Sequence, residues 1–401
     1  MTKLAKIVTG LMAALLLVCA APAQIAPKKK TTADTAKPGD QRTRAYFDIG
    51  KIVWPNPPAV ARIKFVDLFT GEKVDPNLFS KQNRKKRQKW MDRLAGAQNT
   101  NEIDLSKLPF QLIRTYGVAF DSKGRIYAAD QGVAAVFVFD PKTKKEVEMI
   151  RNGKEANLGL IMGLAIDDDD RVFVSDVKLH RVLVLNAKRE QVASIGMDEL
   201  VNPGGIAIDK ENRLLYVVDT GNDTVVVYDA DSFKKLRNIG KPGRKHTAND
   251  PGTFSLPTNV AVDSEGDVYV TDTFNNRVEI FDADGEFISQ FGKNGDGPGQ
   301  FERPKGIAVD CDRHIWVVDA AQDRVKVFDR EGRLLIYFGE HGEYPGRFMG
   351  AYGIAIDKEN RVVVSETFPG RVQMFRYVTD AEAEAEKTKP AAGEQKSATA
   401  K

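Results

Sequence analysis

Acidic side chains at a repeated position are the most numerous candidates for chemistry in this chain. Each ends a short apolar run, and the six positions are Asp130, Asp176, Asp219, Asp272, Asp319 and Glu366. Six carboxylates on one face could bind a cation or hydrogen-bond a sugar. They could instead accept hydrogen bonds from their own turns and pair with arginines of the next run. Those arginines are Arg181, Arg277, Arg324 and Arg371. Because the acid recurs in every copy, whereas catalytic groups tend to be asymmetric, we favour the structural interpretation.

The histidines are the second set of candidates, and they are His180, His246, His314 and His341. None stands in a His-x-x-x-His or Cys-x-x-Cys spacing, so the sequence carries no zinc signature. Cys311 is the single cysteine after the N-terminal region, which leaves no internal disulfide there, and we expect an inert turn residue. The sequence shows no Ser-His-Asp constellation, phosphate loop or nucleotide fingerprint.

Six copies of one set of strands must position these residues. Each copy begins with a short apolar strand that ends in Asp, as in residues 205–209 and 353–357. Next come a turn, a second strand that ends in the carboxylate, and a third strand. In five cases a weaker fourth strand precedes the next copy. The copies repeat about every 42 to 54 residues. A four-stranded sheet cannot bury both faces by itself, so the pattern predicts an all-β, six-bladed β-propeller of four-stranded antiparallel blades.

The last copy indicates how the ring closes. An acidic, Ala-rich tail follows its third strand at once, so the copy has no fourth strand of its own. Residues 61–68 alternate polar and apolar side chains, which is typical of a half-buried strand. We expect this N-terminal strand to close the last blade and remove the open seam.

The copies resemble NHL repeats. Residues 259–282 run Asn-Val-Ala-Val-Asp, a polar turn, Val-Tyr-Val-Thr-Asp-Thr and then Asn-Asn-Arg-Val-Glu-Ile-Phe-Asp, close to that family's consensus. The Gly-rich spacers 292–304 and 339–348 also match, and the resemblance covers about 260 residues. Copies one and two depart from it at residues 131–133 and 177–179, where the family usually has Thr and Asn. The Pro-rich lead into the N-terminal strand resembles exported bacterial members.

The resemblance implies a binding platform for protein, RNA or glycan. A few relatives are enzymes, namely peptidyl-hydroxyglycine lyases with zinc and calcium and, more distantly, calcium-dependent lactonases of six-bladed folds. A zinc lyase would need convergent histidines with a Tyr or Arg acting on the substrate. His180, His246 and His341 are expected on one face but in separate blades. We therefore expect no cofactor and no metal ligands, with zinc or calcium as the alternative.

The fourth-to-first and second-to-third loops, such as 292–305 and 272–276, form one end of the predicted propeller, called here the loop-rich face. In propellers this face usually carries the ligand-binding site. The candidate binding residues there are His180, Asn222, His246, Phe274, Asn275, Asn276, Gln322, His341, Tyr344 and Tyr352. No catalytic residue is predicted among them.

The N-terminus predicts export. Lys3 and Lys6 precede an apolar run over 7–18 and a small-residue cleavage site at 21–23, so residues 1–23 are predicted as a signal peptide. The run is shorter than the roughly 20 residues that span a bilayer, although retention as an anchor is the alternative. Val18 before Cys19 disfavours lipidation. The predicted location is periplasmic or secreted, with membrane tethering left open.

The remaining segments complete the predicted organisation. Residues 24–58 are predicted as a disordered, Pro-rich linker, 59–72 as the closing strand, and 73–109 as a basic helical connector. The propeller follows over 110–378, and a disordered tail over 379–401.

Residues 28–93 contain 17 Lys or Arg against 7 Asp or Glu, although the whole chain carries only +3. The basic segment 81–93 could contact an anionic surface, but a solvated helix pinned by Trp90 is favoured, and export disfavours nucleic acid.

The sequence thus favours an exported, monomeric, non-enzymatic propeller that binds a protein, a peptide or a cell-envelope glycan. The alternative is a metal-dependent lyase or lactonase of the six-bladed type.

Overall fold

The fold is all-β around a central axis. A computed structural model describes residues 51–71, 111–143, 147–153, 156–241 and 243–387. Blade 1 contains β3 (Thr115–Phe120), β4 (Ile126–Asp130), β5 (Ala135–Phe139) and β6 (Val147–Arg151). Blade 2 contains β7 (Ile161–Ile166), β8 (Val172–Asp176), β9 (Arg181–Leu185) and β10 (Gln191–Ile195). Blade 3 contains β11 (Pro203–Asp209), β12 (Leu214–Asp219), β13 (Thr224–Asp229) and β14 (Lys235–Ile239).

The second half repeats this arrangement. Blade 4 contains β15 (Asn259–Val262), β16 (Val268–Asp272), β17 (Arg277–Phe281) and β18 (Phe287–Phe291). Blade 5 contains β19 (Pro304–Val309), β20 (Ile315–Asp319), β21 (Arg324–Phe328) and β22 (Leu334–Phe338). Blade 6 contains β23 (Ala351–Ile356), β24 (Arg361–Glu366), β25 (Arg371–Tyr377), β2 (Ile63–Phe69) and β1 (Val53–Trp54). The first strands of successive blades contact one another, and β23 contacts β3, so the ring closes and the predicted six-bladed propeller is confirmed.

Burial explains why the inner and outer strands differ in sequence. The second and third strands of a blade are buried on both faces, as in β8 and β9, because a neighbouring blade covers each side. The fourth strand alternates between half-buried and exposed residues, as in β22. Apolar clusters join adjacent blades; one of them unites Val136 of blade 1 with Leu164 of blade 2. The core is therefore a ring of interfaces between blades.

The N-terminal strand closes the last blade as the sequence predicts. Ile63 pairs with Tyr377 and Phe65 with Phe375, in antiparallel register. The prediction of a disordered linker over 24–58 needs correction at its end, because Val53–Trp54 adds a fifth strand to blade 6. Packing orders this strand: the Trp54 ring lies 5.4 Å from the Phe338 ring.

The predicted disordered tail also needs correction, since a helix, α1, spans Asp380–Lys387. A capping box starts it. The Glu382 amide donates to Thr379 Oγ1 at 3.3 Å, and the Thr379 amide donates to the Glu382 carboxylate at 3.1 Å. Arg62 and Arg376 form ion pairs with Asp380 and Glu382, and Ala383 is buried against the body. These contacts with the closing strand and β25 explain why an acidic, Ala-rich segment is ordered here.

The face opposite the loop-rich face consists of tight, charged turns. Asp121, which ends the first strand of blade 1, accepts hydrogen bonds from the amides of Lys123 at 3.0 Å and Arg125 at 2.8 Å. Arg125 Nε donates to the same carboxylate at 2.6 Å. Blades 2 and 6 repeat this arrangement with Arg171 and Arg361, so the Asp that ends each first strand caps its turn, as predicted.

Three predicted features lie wholly or partly outside the described residues. These are the signal peptide 1–23, the basic connector 73–109 with its segment 81–93, and the tail beyond residue 387. Within the described ranges, none of the helices has the length and apolar character needed to cross a membrane.

Candidate functional site

The six carboxylates of the second strands lie on the loop-rich face, and all are fully buried. They hold the loop that enters their own blade. Asp176 accepts hydrogen bonds from the amides of Gly159 at 2.6 Å and Leu160 at 2.9 Å. Asp219 does the same for Val201 and Asn202, at 2.9 and 2.8 Å. Buried carboxylates with this many donors act as structural caps, so the structural interpretation holds.

The cationic partners of these carboxylates differ between blades. Arg277 pairs with Asp272 at 2.9 Å, and Arg371 pairs with Glu366 at 2.5 Å, as the sequence predicts. Arg181 instead donates to Ser194 Oγ and the Asn157 carbonyl, and Arg324 lies over the Tyr337 ring. Lys326 replaces Arg324 as the partner of Asp319, at 3.1 Å. Two of the four predicted arginine pairings are therefore wrong. In blade 5 the cation comes from the position two residues later in the third strand, and in blade 2 Arg181 binds other acceptors while Asp176 accepts backbone amides.

Burial shifts the protonation equilibria of this ring. It raises the pKa values of Asp130, Asp272 and Glu366, while backbone amides oppose the shift in each case. The arginine partners of Asp272 and Glu366 act in the same opposing direction. These shifts follow from the structural role and give no reason to assign acid–base chemistry.

The three histidines of the loop-rich face are each held by a different neighbour. His180 Nδ1 lies 2.6 Å from the Val201 carbonyl, His246 Nδ1 lies 2.9 Å from Asp223, and His341 Nδ1 lies 2.6 Å from Asp323. Among the described residues, no three His, Cys, Asp or Glu side chains converge as metal ligands.

The predicted amide side chains also serve the local structure. Asn222 and Asn275 donate to Asp219 and Asp272, at 2.8 and 2.7 Å. Asn276 donates to the Glu302 carbonyl at 2.7 Å, and Gln322 to the Gly295 carbonyl at 3.0 Å. These hydrogen bonds hold the loops of the loop-rich face in place.

Large apolar side chains are displayed on the loop-rich face. Twelve large hydrophobic residues of the described chain are exposed, and half of them lie on this face. These six are Leu160, Met197, Val201, Phe274, Tyr344 and Phe368. The other six lie on the closing strand and the fourth strands at the rim, so the described turns of the opposite face carry none. Phe274 is the most exposed, at 62%.

Six residues at equivalent positions in or next to the first strands form a ring at the loop-rich end of the central channel. The positions immediately precede the residue that opens each repeat, and they are Tyr116, Met162, Gly204, Thr258, Lys305 and Tyr352. Close approaches join them: a Cβ on Gly117 would lie 2.5 Å from the Met162 carbonyl, and one on Gly353 would lie 2.3 Å from the Tyr116 carbonyl. Unlike the carboxylate position, this position carries a different type of residue in nearly every blade.

Lys305 is the residue of this ring that sequence reasoning missed. It is half-buried, its Nζ lies 5.7 Å from the centre of the Tyr352 ring, and that ring meets Tyr116 edge-on at 4.6 Å. Burial, aided by the like charge of Arg303, lowers the pKa of Lys305 to about 8. Aligning the six copies would have revealed it, because only this copy has a charge at the position.

Asn259 is the second irregularity at the channel. Five of the six repeats open with Gly, and the fourth opens with Asn259. Its side chain lies against Gly205, where a Cβ would come within 2.0 Å of the Asn259 Oδ1. Its Nδ2 is buried and has no hydrogen-bond partner among the described residues.

Comparisons with known proteins support the fold and indicate partial relationships. A family model described as a 6-bladed beta-propeller matches residues 254–325. The peptidyl-glycine alpha-amidating monooxygenase of Mus musculus is 25% identical over 198 residues, which are 44% of this chain and 20% of that protein. The NHL repeat-containing protein 2 of Gallus gallus is 31% identical over 100 residues, 23% of this chain and 13% of that protein. This chain thus spans a fifth or less of these two relatives.

A solved structure shares the architecture at low identity. The gluconolactonase of Xanthomonas campestris superposes with a TM-score of 0.51 at 17% identity, covering 67% of this chain and 87% of that one. At this identity the likeness concerns the fold alone. The chain is therefore a six-bladed β-propeller, with partial sequence similarity to an NHL repeat-containing protein and to an enzyme.

Proposed function

We propose that the protein is an NHL-type propeller that binds a protein or peptide partner on its loop-rich face and has no enzymatic activity. The observation that carries the proposal is the uneven distribution of exposed apolar residues between the two faces. Apolar residues rimmed by polar ones mark interaction surfaces, and aromatic residues concentrate binding energy there. Phe274, Tyr344 and Phe368 supply such anchors.

A peptide partner suits this surface better than a glycan does. Aromatic rings alone could stack on sugars, but Leu160, Met197 and Val201 offer aliphatic contacts that match peptide side chains. The side-chain amides of Asn222, Asn275 and Asn276 donate within the fold, so these groups are already engaged and are less available to sugar hydroxyls.

The test compares two double variants with a phage-displayed library of random peptides as the probe. Phe274→Ser with Phe368→Ser removes the anchors of the loop-rich face. Leu236→Ser with Ile288→Ser removes residues of comparable exposure, at 49% and 44%, from the rim. Peptides selected on the wild type should bind the first variant roughly tenfold or more weakly and the second unchanged.

Other outcomes of that test would overturn the proposal. Selection that yields no enriched peptides would do so, as would peptides that bind both double variants equally. A parallel array of cell-envelope glycans provides the remaining arm. Binding there, without peptide binding, would replace the peptide with a glycan as the partner.

A metal-dependent lyase is the competing function, since the similarity to the mouse amidating monooxygenase covers 44% of this chain. The donor side chains in the described part do not converge, so no step of such a reaction can be placed on named residues. Elemental analysis of protein purified without chelator distinguishes the two functions. A binding platform predicts less than one zinc or calcium per chain.

The location and the basic segment complete the proposal. The charged and apolar N-terminus supports export to the periplasm or beyond, and the partner is then an envelope or extracellular protein. Residues 81–93 supply positive charge that would hold the monomeric protein near an anionic surface. Sedimentation with vesicles containing anionic phospholipid tests this role, because deletion of residues 73–109 should abolish co-sedimentation.

A further inference from the structure

The ammonium of Lys305 lies at the mouth of the central channel. Lys305 Nζ has no carboxylate within ion-pair distance among the residues that the structure describes. Its neighbours are the ring of Tyr352, 5.7 Å from Nζ, and the like charge of Arg303. A half-buried ammonium of this kind is unfavourable unless an anion compensates it.

The contrast with Lys326 shows that the fold can compensate a buried lysine. Lys326 lies in β21, the third strand of blade 5. Its side chain is 2% exposed and pairs with Asp319 at 3.1 Å. Lys305 lies in the first strand of the same blade and has no such partner. Because Lys305 lies at the channel on the loop-rich face, a ligand can reach it from solvent.

Aromatic walls shape the surroundings of this charge. The rings of Tyr116 and Tyr352 meet at 4.6 Å and 75°. Burial raises the pKa of Tyr352, so its hydroxyl stays protonated and can donate a hydrogen bond. The mouth therefore combines the ammonium of Lys305 with the neutral hydroxyl of Tyr352 as a hydrogen-bond donor, which is complementary to an acceptor-only anion.

We propose that the mouth of the central channel binds a carboxylate group of the partner peptide, with Lys305 as its ionic partner and the rings of Tyr116 and Tyr352 beside it. This inference rests on the proposed function and names the chemical group that the peptide presents. A single compact ammonium neutralises one charge, which matches a carboxylate, whereas a doubly charged phosphate is usually held by several cations or an Arg fork. The carboxylate can come from the peptide C-terminus or from an acidic side chain.

The first test uses chemically matched versions of one peptide selected on the wild-type protein. One version has an amidated C-terminus, a second has each Asp or Glu replaced by Asn or Gln, and a third has both changes. The version lacking the critical carboxylate should bind roughly tenfold or more weakly, which also identifies its source. Equal binding of all versions would overturn the inference and leave the proposed function intact.

Two lysine variants connect this effect to the channel. Lys305→Met keeps the apolar stem and removes the charge, whereas Lys293→Met removes an exposed lysine from the neighbouring loop. Lys305→Met should bind all versions of the peptide with the same weak affinity, while Lys293→Met should still distinguish them. Because Lys305 is desolvated without a counter-ion, its replacement should not lower the melting temperature, so weak binding cannot be attributed to unfolding.

A second measurement does not depend on any peptide. The Cε signal of Lys305 in ¹³C-lysine-labelled protein, assigned with Lys305→Met, is followed by NMR against pH with and without sodium acetate. Acetate should raise the pKa of Lys305 from about 8, since a bound carboxylate favours the charged form. If acetate acts but no peptide binds, the carboxylate site stands and the peptide-binding function fails. No effect of acetate, or a larger effect of inorganic phosphate, would overturn the inference.

Discussion

At the scale of residues, repetition separates structural groups from candidates for binding. The carboxylate at the end of each second strand is present in every blade and accepts the amides of the entering loop in all of them. Lys305 and Asn259 break the repeat, and neither has a partner in its own fold comparable to those of the carboxylates. The carboxylates that hold the loops are therefore repeated, whereas Lys305, the proposed ionic partner of a ligand, is irregular.

Replacing one carboxylate cap should destabilise the whole domain. Asp219→Ala removes the acceptor of the Val201, Asn202 and Gly221 amides, and a buried unsatisfied donor such as the Gly221 amide costs about 1–3 kcal/mol. We expect the free energy of unfolding in urea to fall by roughly 3 kcal/mol. Asp282→Ala is the control, because Asp282 accepts two amides in a half-exposed turn, where water can replace it. Equal losses for both variants would contradict the assigned role.

Glu279 should make stability depend on pH. Burial raises its pKa to about 7 although Arg277 lies 3.0 Å away, and Oε2 has no hydrogen-bond partner. The folded state retains this proton at pH values where the unfolded chain has released it. The free energy of unfolding should therefore fall as pH rises from about 5 to about 7.

The variant Glu279→Gln isolates this contribution. Relative to the variant, wild-type stability should drop by roughly 2 kcal/mol over that interval, measured by urea unfolding at a series of pH values. Glu286→Gln, on an exposed turn of the same blade, should follow the wild-type curve. Parallel curves for wild type and Glu279→Gln would show that Glu279 titrates normally.

At the scale of elements, the closing strand makes the ring continuous. The strand Ile63–Phe69 supplies the fourth strand that blade 6 lacks, and Val53–Trp54 extends the same sheet. Aromatic packing reinforces the seam, since the Phe65 ring meets the Phe375 ring edge-on at 5.5 Å. The helix Asp380–Lys387 packs at the same seam through Ala383 and the ion pair with Arg62.

A matched pair of substitutions in the closing strand tests its contribution. Phe65→Ala removes a side chain that is 5% exposed and should lower the free energy of unfolding by about 3–5 kcal/mol. Val66→Ala, next to it but 42% exposed, should change stability by no more than about 0.5 kcal/mol. Both values come from urea unfolding. A small effect of Phe65→Ala would mean that the ring is stable without this strand.

At the scale of the whole molecule, the two ends of the propeller differ in chemistry. The described turns of one end are held by Asp–Arg pairs such as Asp121–Arg125 and Asp167–Arg171, whereas the other end displays apolar side chains around the channel. A partner would therefore approach along the axis from the loop-rich end.

Chelation should leave the molecule unchanged. No three metal-binding side chains converge in the described part, and backbone amides already occupy the buried carboxylates of the loop-rich face. We expect the melting temperature to be the same with and without EDTA, measured by differential scanning calorimetry. A clear decrease that calcium or zinc reverses would instead support a metal-dependent function.

The sequence by itself determined the architecture, because its strand periodicity, its repeat length and the missing last strand are local features of the chain. It also predicted the structural role of the carboxylates from their recurrence. Only the tertiary structure decided which irregular residues lie next to one another. Lys305, Tyr116 and Tyr352 are up to 236 residues apart in sequence, and ring closure between blades 1 and 6 brings them together. Burial and the partners of a side chain depend on these long-range contacts. Aligning the copies finds the irregular charge of Lys305, but neither its aromatic neighbours nor the order of the C-terminal helix could be predicted from local pattern.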